Sequence, residues 1–239
     1  MTDPKWKKSI AITGAGSGFG KALALRYAAA GWNVAVTDID EQRARSTLAA
    51  IERFDGHNFC MQLDITMADH WQQLQDTVEE QWGGLEVLVN NAGVAAAGNV
   101  EETSMEDWRW VLDTDLMGVV RGCHQFAGMM KRQQAGHIVN VSSFAGLAGL
   151  PFIAAYGVAK AGVVALSEAL RLEMQPHGVG VTVACPAFVK TGLMDSFRST
   201  KPGTRAKVTR WMEASGVSAE QVAEAIAEAV SRNRFLLLT

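Results

Sequence analysis

An alternation of short apolar runs with longer amphipathic ones constrains the fold of this chain more than any other feature. The apolar runs are too continuous to leave one strand face in water, so each reads as a strand that is buried on both sides. They are SIAIT (9–13), NVAVT (33–37), NFCMQL (58–63), LEVLVN (85–90), HIVNVS (137–142), VGVTVAC (179–185) and FLLLT (235–239). Helical patterns lie between them, at about residues 18–30, 40–53, 67–82, 105–132, 155–174 and 218–231. Buried strands that are each followed by a helix require a parallel sheet with helices on both faces, which predicts a doubly wound α/β fold.

A Rossmann-type sheet of about seven strands fits within one domain of this length. The chain has 239 residues, and no repeat or linker rich in Pro, Gly or Ser divides it. We therefore expect residues 1–239 to form a single domain. Residues 190–216 are much longer than the usual connection of about two to six residues in an α/β unit. We expect this segment to be a substrate lid over a ligand crevice at the carboxyl end of the sheet.

A glycine cluster, TGAGSGFG (13–20), follows the first strand and opens the first helix. Glycines at this place allow a tight turn and let backbone N–H groups approach a pyrophosphate at the positive end of the helix. Asp38 ends the second strand, 18 residues after Gly20. A carboxylate there accepts hydrogen bonds from adenosine ribose hydroxyls and repels a 2′-phosphate, so we expect NAD rather than NADP. Arg43 and Arg45 weaken that preference if either reaches back, although a solvated helix face also explains both.

Two further segments extend the predicted cofactor site. Asp64, in LDIT after the third strand, is placed to receive an adenine amino group, and capping of the next helix is an equally good explanation. The sequence NNAG (90–93) ends the fourth strand, where small residues let a ribose or nicotinamide pack on the backbone.

Tyr156 and Lys160 lie one helical turn apart in AAYGVAKAG (154–162), whose other residues are small. A free tyrosine has a pKa near 10, and an ammonium about 5 Å away at an effective dielectric of about 20 lowers it by about 2 units. Taken alone, the pair is better explained as a surface phenol beside a solvated lysine. Ser143 lies 13 residues before Tyr156. Because neighbouring strand residues face opposite sides, only one of Ser142 and Ser143 faces such a site.

Together, the glycine motif, NNAG, Ser143 and Tyr156-x-x-x-Lys160 resemble the short-chain dehydrogenase/reductase family. The resemblance covers about residues 8–192 and the last helix and strand. It implies that Tyr156 is the general acid/base, that Lys160 binds the nicotinamide ribose and lowers the tyrosine pKa, and that Ser143 hydrogen-bonds the reacting oxygen. The residues expected to bind the cofactor, with Val189 and Thr191 fixing its carboxamide, are Gly14, Ser17, Gly18, Phe19, Gly20, Asp38, Asp64, Ile65, Asn91, Ala92, Gly93, Tyr156, Lys160, Pro186, Val189 and Thr191.

Asp115 departs from the family pattern. The stretch WRWVLDTDLMG (108–118) matches a pattern in which this position is Asn. The resemblance implies that the Asn acts mainly through its backbone carbonyl, which holds a water linked to the lysine, so an Asp preserves that role as a fourth catalytic residue. An ionised carboxylate within about 5 Å of Lys160 would raise the lysine pKa and offset much of its effect on Tyr156. Ala187 is a second departure, since Gly usually follows the Pro.

Apolar and aromatic residues around the predicted site indicate a hydrophobic secondary alcohol or ketone as substrate. Those expected to line its pocket are Phe144, Phe152, Phe188 and Met194. The 190–216 segment also carries several basic residues, which fit either an anionic thioester carrier or a solvated surface. They are Arg198, Lys201, Arg205, Lys207 and Arg210.

Composition and charge limit the kinds of partner that this protein is expected to bind. A net charge of −3 and a pI of about 6.0 give no electrostatic reason to bind nucleic acid or an anionic membrane. No apolar run of spanning length and no secretory signal is recognised, and the scattered Cys and His residues predict neither a disulfide framework nor a metal site. We therefore expect a cytoplasmic protein. In the family, the helices at 105–132 and 155–174 form a dimer interface, so the resemblance implies a homodimer or homotetramer.

These observations predict an NAD-dependent alcohol dehydrogenase or ketone reductase that moves a hydride between NAD(H) and a hydrophobic secondary alcohol or ketone. An NADPH-dependent 3-oxoacyl-thioester reductase is the alternative among enzymes, favoured by the basic lid and disfavoured by Asp38. A dinucleotide-binding sensor without turnover is the alternative from another class, with Asp115 as the damaging change.

Overall fold

The central sheet is parallel throughout, and its strands follow the apolar runs of the sequence. The computed structural model describes residues 4–187, 189, 192–200 and 202–239, apart from the side chains of Lys207 and Trp211. Its strands, numbered along the chain, are β1 (Ser9–Thr13), β2 (Asn33–Asp38), β3 (Phe59–Gln62), β4 (Val87–Asn90), β5 (Ala96–Ala97), β6 (Gly136–Val141), β7 (Val179–Cys185), β8 (Arg198–Ser199) and β9 (Leu236–Leu238). Seven of these form one sheet in the order β3-β2-β1-β4-β6-β7-β9, and β5 pairs with β8 separately. The predicted doubly wound α/β fold is confirmed.

Helices cover both faces of this sheet. They are α1 (Gly18–Ala29), α2 (Glu41–Ile51), α3 (Ala68–Trp82), α4 (Met105–Leu112), α5 (Gly118–Gln133), α6 (Ala154–Met174), α7 (Thr204–Ala214) and α8 (Ala219–Ser231). Because strand side chains alternate in direction, Ile10 and Ile12 pack in one core cluster with residues of α1, α2 and α8. Ala11 lies between them in sequence and packs on the other face, in a cluster with Trp71 of α3 and Phe126 of α5. Each strand therefore contributes to two buried layers.

The long helix predicted at 105–132 is divided by a π-helical turn. α4 ends at Leu112, residues Asp113–Met117 form the π turn, and α5 begins at Gly118. A π turn accommodates an extra residue in a helix and changes the direction in which its side chains point. Asp115, which lies at the centre of this turn, is fully buried.

The segment predicted as a lid contains regular structure that the sequence did not indicate. A short 3₁₀ helix spans Gly192–Asp195, β8 follows, and α7 occupies Thr204–Ala214. β8 pairs with β5 in register Ala96↔Arg198 and Ala97↔Ser199, which attaches the segment to the loop after β4.

The topology defines one crevice. The chain order reverses between β1 and β4, which are neighbours in the sheet, so the loops after these strands diverge at their carboxyl ends. Ligands of doubly wound sheets bind at such a point. Among the described residues, no helix combines the length and apolar character needed to cross a membrane.

Candidate active site

A cleft of about 1390 Å³ opens at the carboxyl ends of the strands. The predicted site residues that line it are Gly14, Ser17, Gly18, Phe19, Asp38, Asp64, Ile65, Asn91, Ala92, Gly93, Ser143, Phe144, Phe152, Tyr156, Lys160, Pro186, Val189 and Met194. Gly20 and Asp115 lie behind its wall. Phe188 and Thr191 lie outside the described residues, so their predicted roles stay predictions.

The glycine loop places the start of α1 at the cleft. Gly14 and Gly18 have φ values of +63° and +50°, which favour glycine at both positions. A Cβ at Gly20 would lie 2.4 Å from the Gly14 carbonyl oxygen, so the helix and loop need a residue without a side chain there. Ser17 is the N-cap of α1, and its side chain makes no capping hydrogen bond. The first amides of the helix are thus available to an anion.

Asp38 holds the far side of this loop. Its Oδ2 accepts a hydrogen bond from the Gly16 N–H at 2.9 Å, and its Oδ1 accepts one from the Asp40 N–H at 3.0 Å. The nearby Arg43 guanidinium donates to Asp40 at 3.1 Å and lies 3.5 Å from Asp195. Arg43 therefore pairs with two carboxylates: that of Asp40, the N-cap residue of α2, and that of Asp195, in the predicted lid.

The NNAG sequence is fastened to the glycine loop. The Asn91 side-chain amide donates to the Thr13 carbonyl at 2.8 Å, and the Thr13 hydroxyl accepts from the Asn91 and Ala92 N–H groups at 3.0 Å each. Asp64 lies further along the same rim. Its Oδ1 accepts from the Thr66 N–H at 2.9 Å and from the Thr66 hydroxyl at 2.7 Å, so one oxygen stabilises the turn before α3.

Ser143, Tyr156 and Lys160 converge on one wall of the cleft. Tyr156 and Lys160 lie on the first turns of α6, and the Lys160 Nζ is 5.6 Å from the centre of the Tyr156 ring. Ser143 is a side-chain hydrogen-bond partner of Tyr156. Ser142 is buried instead, and its hydroxyl donates to the Lys160 carbonyl at 2.8 Å. The two serines thus face opposite sides, with Ser143 at the cleft.

Lys160 is almost completely buried and is held from two directions. Its ammonium donates to the Val141 carbonyl at 3.1 Å, and it lies 3.5 Å from the Asp115 Oδ2. The other carboxylate oxygen, Oδ1, accepts from the Val94 N–H at 2.7 Å. A Cβ at Gly93 would lie 3.2 Å from that oxygen and 3.4 Å from Nζ, so the chain passes close to the ion pair.

Burial and charge act against each other in this group. Burial raises the pKa of Tyr156 above its ordinary value, while the Lys160 charge and the Ser143 hydrogen bond act to lower it and Asp115 acts to raise it. The sequence argument considered the ammonium and the Asp115 carboxylate but not the burial of the phenol. Burial also raises the pKa of Asp115, against the opposing effect of Lys160. Burial by itself lowers the pKa of Lys160, but Asp115 and Tyr156 raise it above its ordinary value.

The opposite side of the cleft is apolar. Phe144 and Phe152 expose about half of their side chains there. Phe152 has a φ of +68°, and its carbonyl accepts from the Gly98 N–H at 2.8 Å. Gly98 also touches the predicted lid, since a Cβ on it would lie 2.8 Å from the Thr200 Oγ1.

Sequence reasoning missed two residues that shape this side. Trp110 of α4 lines the cleft, and the Arg198 guanidinium stacks 3.9 Å from the centre of its indole ring. Arg198 also pairs with Asp107 at 2.9 Å. The sequence analysis gave Trp110 no role and left Arg198 either to an anionic thioester carrier or to a solvated surface, because their contact depends on the β5–β8 pairing, which no periodicity indicates.

The described part of the chain contains no group of three or more His, Cys, Asp or Glu side chains that is able to hold a metal ion. Its three cysteines are free thiols, and burial raises the pKa of Cys123 to about 12. The polar chemistry of the cleft therefore rests on Ser143, Tyr156, Lys160 and the carboxylates already described.

The structure combines a doubly wound sheet, a glycine turn at the point where the strand order reverses, and a Ser–Tyr–Lys group beside it. This combination defines a class of dinucleotide-binding domains. Comparison with known proteins narrows the class. A model of the family described as short chain dehydrogenase matches residues 8–202, and the chain belongs to this family.

Relatives and solved structures agree with that assignment. The chain is 34% identical over 234 residues to the probable oxidoreductase EphD of Mycobacterium tuberculosis, covering 94% of this chain but only 40% of that protein's length. It is 34% identical over 230 residues to 3beta-hydroxysteroid dehydrogenase 1 of Eggerthella lenta, covering 95% of this chain and 88% of that protein. A Burkholderia phymatum short chain dehydrogenase/reductase, crystallised in complex with NAD, superposes with a TM-score of 0.92 at 33% identity, covering 99% and 90% of the two chains.

Proposed function

We propose that this protein is an oxidoreductase that transfers a hydride between NAD(H) and a hydrophobic secondary alcohol or its ketone. The observation that carries the proposal is the convergence of Ser143, Tyr156 and Lys160 at the cleft wall. A phenol beside an ammonium, with a hydroxyl directed to it, is suited to exchange a proton with a carbonyl or alcohol oxygen.

The residues of this chain then have separate tasks. The bound nicotinamide supplies or accepts the hydride. Ser143 donates a hydrogen bond to the reacting oxygen and orients it, and Tyr156 gives a proton to that oxygen in reduction or takes one from it in oxidation. Lys160 stabilises the phenolate and binds the nicotinamide ribose. The uncapped start of α1 binds the pyrophosphate, and the small residues of NNAG leave room for the ribose.

Two observations support NAD over NADP. Asp38 ends β2 at the cleft, where its carboxylate faces the expected place of the adenosine ribose and repels a 2′-phosphate. Arg43, a cation that lines the same part of the cleft, already pairs with Asp40 and Asp195. The Burkholderia relative was crystallised with NAD, in agreement with this choice.

The apolar wall supports a neutral, hydrophobic substrate. Among the described lining residues, the charged side chains are Asp38, Arg43, Asp64, Lys160 and Asp195, and Asp195, from the predicted lid, lies 3.5 Å from Arg43 of the cofactor half. The remaining wall combines aromatic and aliphatic side chains, including Phe144, Phe152, Trp110 and Val208, with uncharged hydroxyl side chains such as Thr114, Ser199 and Thr200. A pocket of this composition favours an apolar body with one oxygen at its reacting end.

The test is hydride transfer with a panel of hydrophobic secondary alcohols, their ketones and steroid 3β-alcohols, using NAD(H) and NADP(H) in parallel. Tyr156→Phe should lower kcat by about 10²-fold or more, the contribution of a positioned acid/base, and should leave NADH affinity unchanged. Tyr27→Phe is the matched control, because Tyr27 is the other of the chain's 2 tyrosines and packs on Trp32 in the core. Full activity in Tyr156→Phe would overturn the mechanism.

Other outcomes of the same assay identify the alternatives. Activity on 3-oxoacyl thioesters with NADPH alone would indicate the thioester reductase, although Arg198 pairs with Asp107 and Arg205 donates to the Met194 carbonyl. Tight NADH binding without turnover across the panel would indicate a sensor.

We also propose a homodimer or homotetramer assembled through α4–α5 and α6, the helices predicted at 105–132 and 155–174. Val158 and Leu172 of α6 are 52% and 64% exposed, which supports burial of this surface by a second copy. The free thiols support a reducing compartment, and we propose a cytoplasmic location. Light scattering of the purified protein measures its assembly.

A further inference from the structure

The buried carboxylate of Asp115 has an arrangement that the family's amide does not provide. Its side chain is 0% exposed, and its Oδ1 accepts a hydrogen bond from the Val94 N–H. Its Oδ2 has no hydrogen-bond partner within the described part of the chain and lies 3.5 Å from the Lys160 Nζ. A neutral amide at this place would leave the ammonium without a charged neighbour.

The π turn explains why the carboxylate reaches this position. Asp113 and Asp115 occupy the same turn, yet Asp113 pairs with Arg121 at 2.7 Å and keeps about half of its side chain in solvent. Asp115 instead points into the protein, toward Lys160. Two carboxylates that are two residues apart thus have opposite surroundings, which provides an internal comparison.

Among the residues that the structure describes, few ionisable groups face this pair. From α6, Lys160 and Tyr156 approach Asp115, and from β7 the Cys185 thiol approaches Lys160. Burial raises the pKa of the Cys185 thiol, which favours its neutral form. Ser143, from the loop after β6, is neutral. Lys160 is therefore the basic group of this cluster, and the Asp115 carboxyl is the acidic group that faces it, with Oδ2 at 3.5 Å from Nζ.

We infer that Asp115 is the buried counter-ion of Lys160, a positioning residue that neutralises the ammonium and thereby keeps the proton on Tyr156. This inference rests on the proposed function and deepens it. It assigns a working direction, because a protonated phenol is the form that reduces a ketone. In that step the proton moves from the Tyr156 Oη to the carbonyl oxygen, and the hydride that reaches the carbonyl carbon would be supplied by bound NADH, which would become NAD. The phenolate then regains a proton from solvent before the next turnover.

The direct test is a titration of the tyrosine in the absence of cofactor, followed by near-ultraviolet absorbance of the phenolate. The chain contains 2 tyrosines, and burial raises the pKa of both, so the Tyr156 signal is assigned by comparison with a variant that lacks the Tyr27 phenol. Tyr27→Phe is that variant. We expect the wild-type phenol to titrate at or above its ordinary value of about 10. A midpoint well below that value would overturn the inference without any variant of Asp115.

Asp115→Asn removes the charge and keeps the shape. We expect the Tyr156 titration to move down by about 1 pH unit or more, the shift typical of one charge in a buried group. The acid limb of the oxidation profile and the alkaline limb of the reduction profile should move down by the same amount. A loss of rate without movement of either limb would show a structural role only.

Asp113→Asn is the matched control, because it removes a carboxylate from the same turn at a solvated pair and should leave every midpoint unchanged. An equal shift in Asp113→Asn would contradict the inference. Failure of the inference about Asp115 can also be distinguished from failure of the proposed function. An inactive wild-type protein overturns the function and leaves the phenolate titration measurable, whereas an unchanged titration in an active Asp115→Asn protein overturns the inference alone.

Discussion

The two halves of the cleft are built in different ways. In the cofactor half, backbone and side-chain hydrogen bonds from Thr13, Asp38 and Asn91 fix the glycine loop to β2 and β4. In the substrate half, the segment after residue 192 is attached through a two-residue strand pair and the contacts of Arg198. The first half is preorganised by buried polar contacts, whereas the second depends on a few exposed ones. The cofactor half should therefore tolerate change poorly, and the substrate half should tolerate it well.

The largest effect is expected for Gly20→Ala, in the cofactor half. The added methyl meets the Gly14 carbonyl oxygen and the Ala15 Cα, which are backbone atoms that cannot move alone. We expect the free energy of unfolding to fall by about 2 kcal/mol and NADH affinity to fall by at least about tenfold. Thermal unfolding and NADH fluorescence titration measure the two effects.

Gly149→Ala is the control for that change. Gly149 has negative φ and open space where its Cβ would be, so both quantities should stay at the wild-type value. A Gly20→Ala protein that binds NADH normally would remove the contrast between the two halves.

An intermediate effect is expected for Arg198→Ala, in the substrate half. The change removes the stacking on Trp110 and the ion pair with Asp107, each worth about 1 kcal/mol or less at an exposed site. We expect KM for the organic substrate to rise roughly three- to tenfold because β8 is released, with NADH affinity unaltered. Steady-state kinetics at saturating NADH measure this.

Arg232→Ala provides the comparison for Arg198→Ala, since Arg232 makes an exposed pair with Glu228 on α8, away from the cleft. Its KM should match the wild type. If Arg198→Ala weakened NADH as much as the organic substrate, the two halves would not be independent.

The smallest effect is expected for Asp195→Asn, which removes an ion pair that joins the halves. Its carboxylate lies 3.5 Å from Arg43, and the Asp195 and Arg43 side chains are 68% and 42% exposed, so we expect NADH to dissociate faster by about twofold or less. The difference should vanish at high salt, where exposed charges are screened. Stopped-flow release at two ionic strengths, with Arg43→Ala to complete a double-mutant cycle, measures the coupling. Coupling that persists at high salt would show a stronger connection than the exposed geometry supports.

The sequence predicted the sheet well because buried parallel strands are continuous apolar runs. The bounds of β1 and β7 coincide with the predicted 9–13 and 179–185, and the other five predicted strands differ at an end by one or two residues. The glycine loop and the Tyr156–Lys160 spacing could be predicted from the sequence equally well, because both depend on residues near one another in the chain. β5, β8 and α7 were missed because a two-residue strand has no period and the polar α7 lacks a strong apolar stripe.

The limits of sequence reasoning are clearest at Asp115. Its residue type was noted as a departure, but the π turn that buries it has the same apolar spacing as an ordinary helix. The burial that raises the pKa of Tyr156 was missed for a related reason. A charge–charge distance follows from local spacing, whereas desolvation depends on distant segments that close over the group.

Gly98 is a critical position for any redesign of the substrate pocket. Gly98 directly follows β5, donates its N–H to the Phe152 carbonyl and lies close to Thr200 after β8. Three walls of the cleft therefore meet at this residue. A library that varies one wall while sparing Gly98 changes one dimension of the pocket at a time. A substitution at Gly98 displaces all three walls together, so substrate scope would change abruptly there and gradually elsewhere.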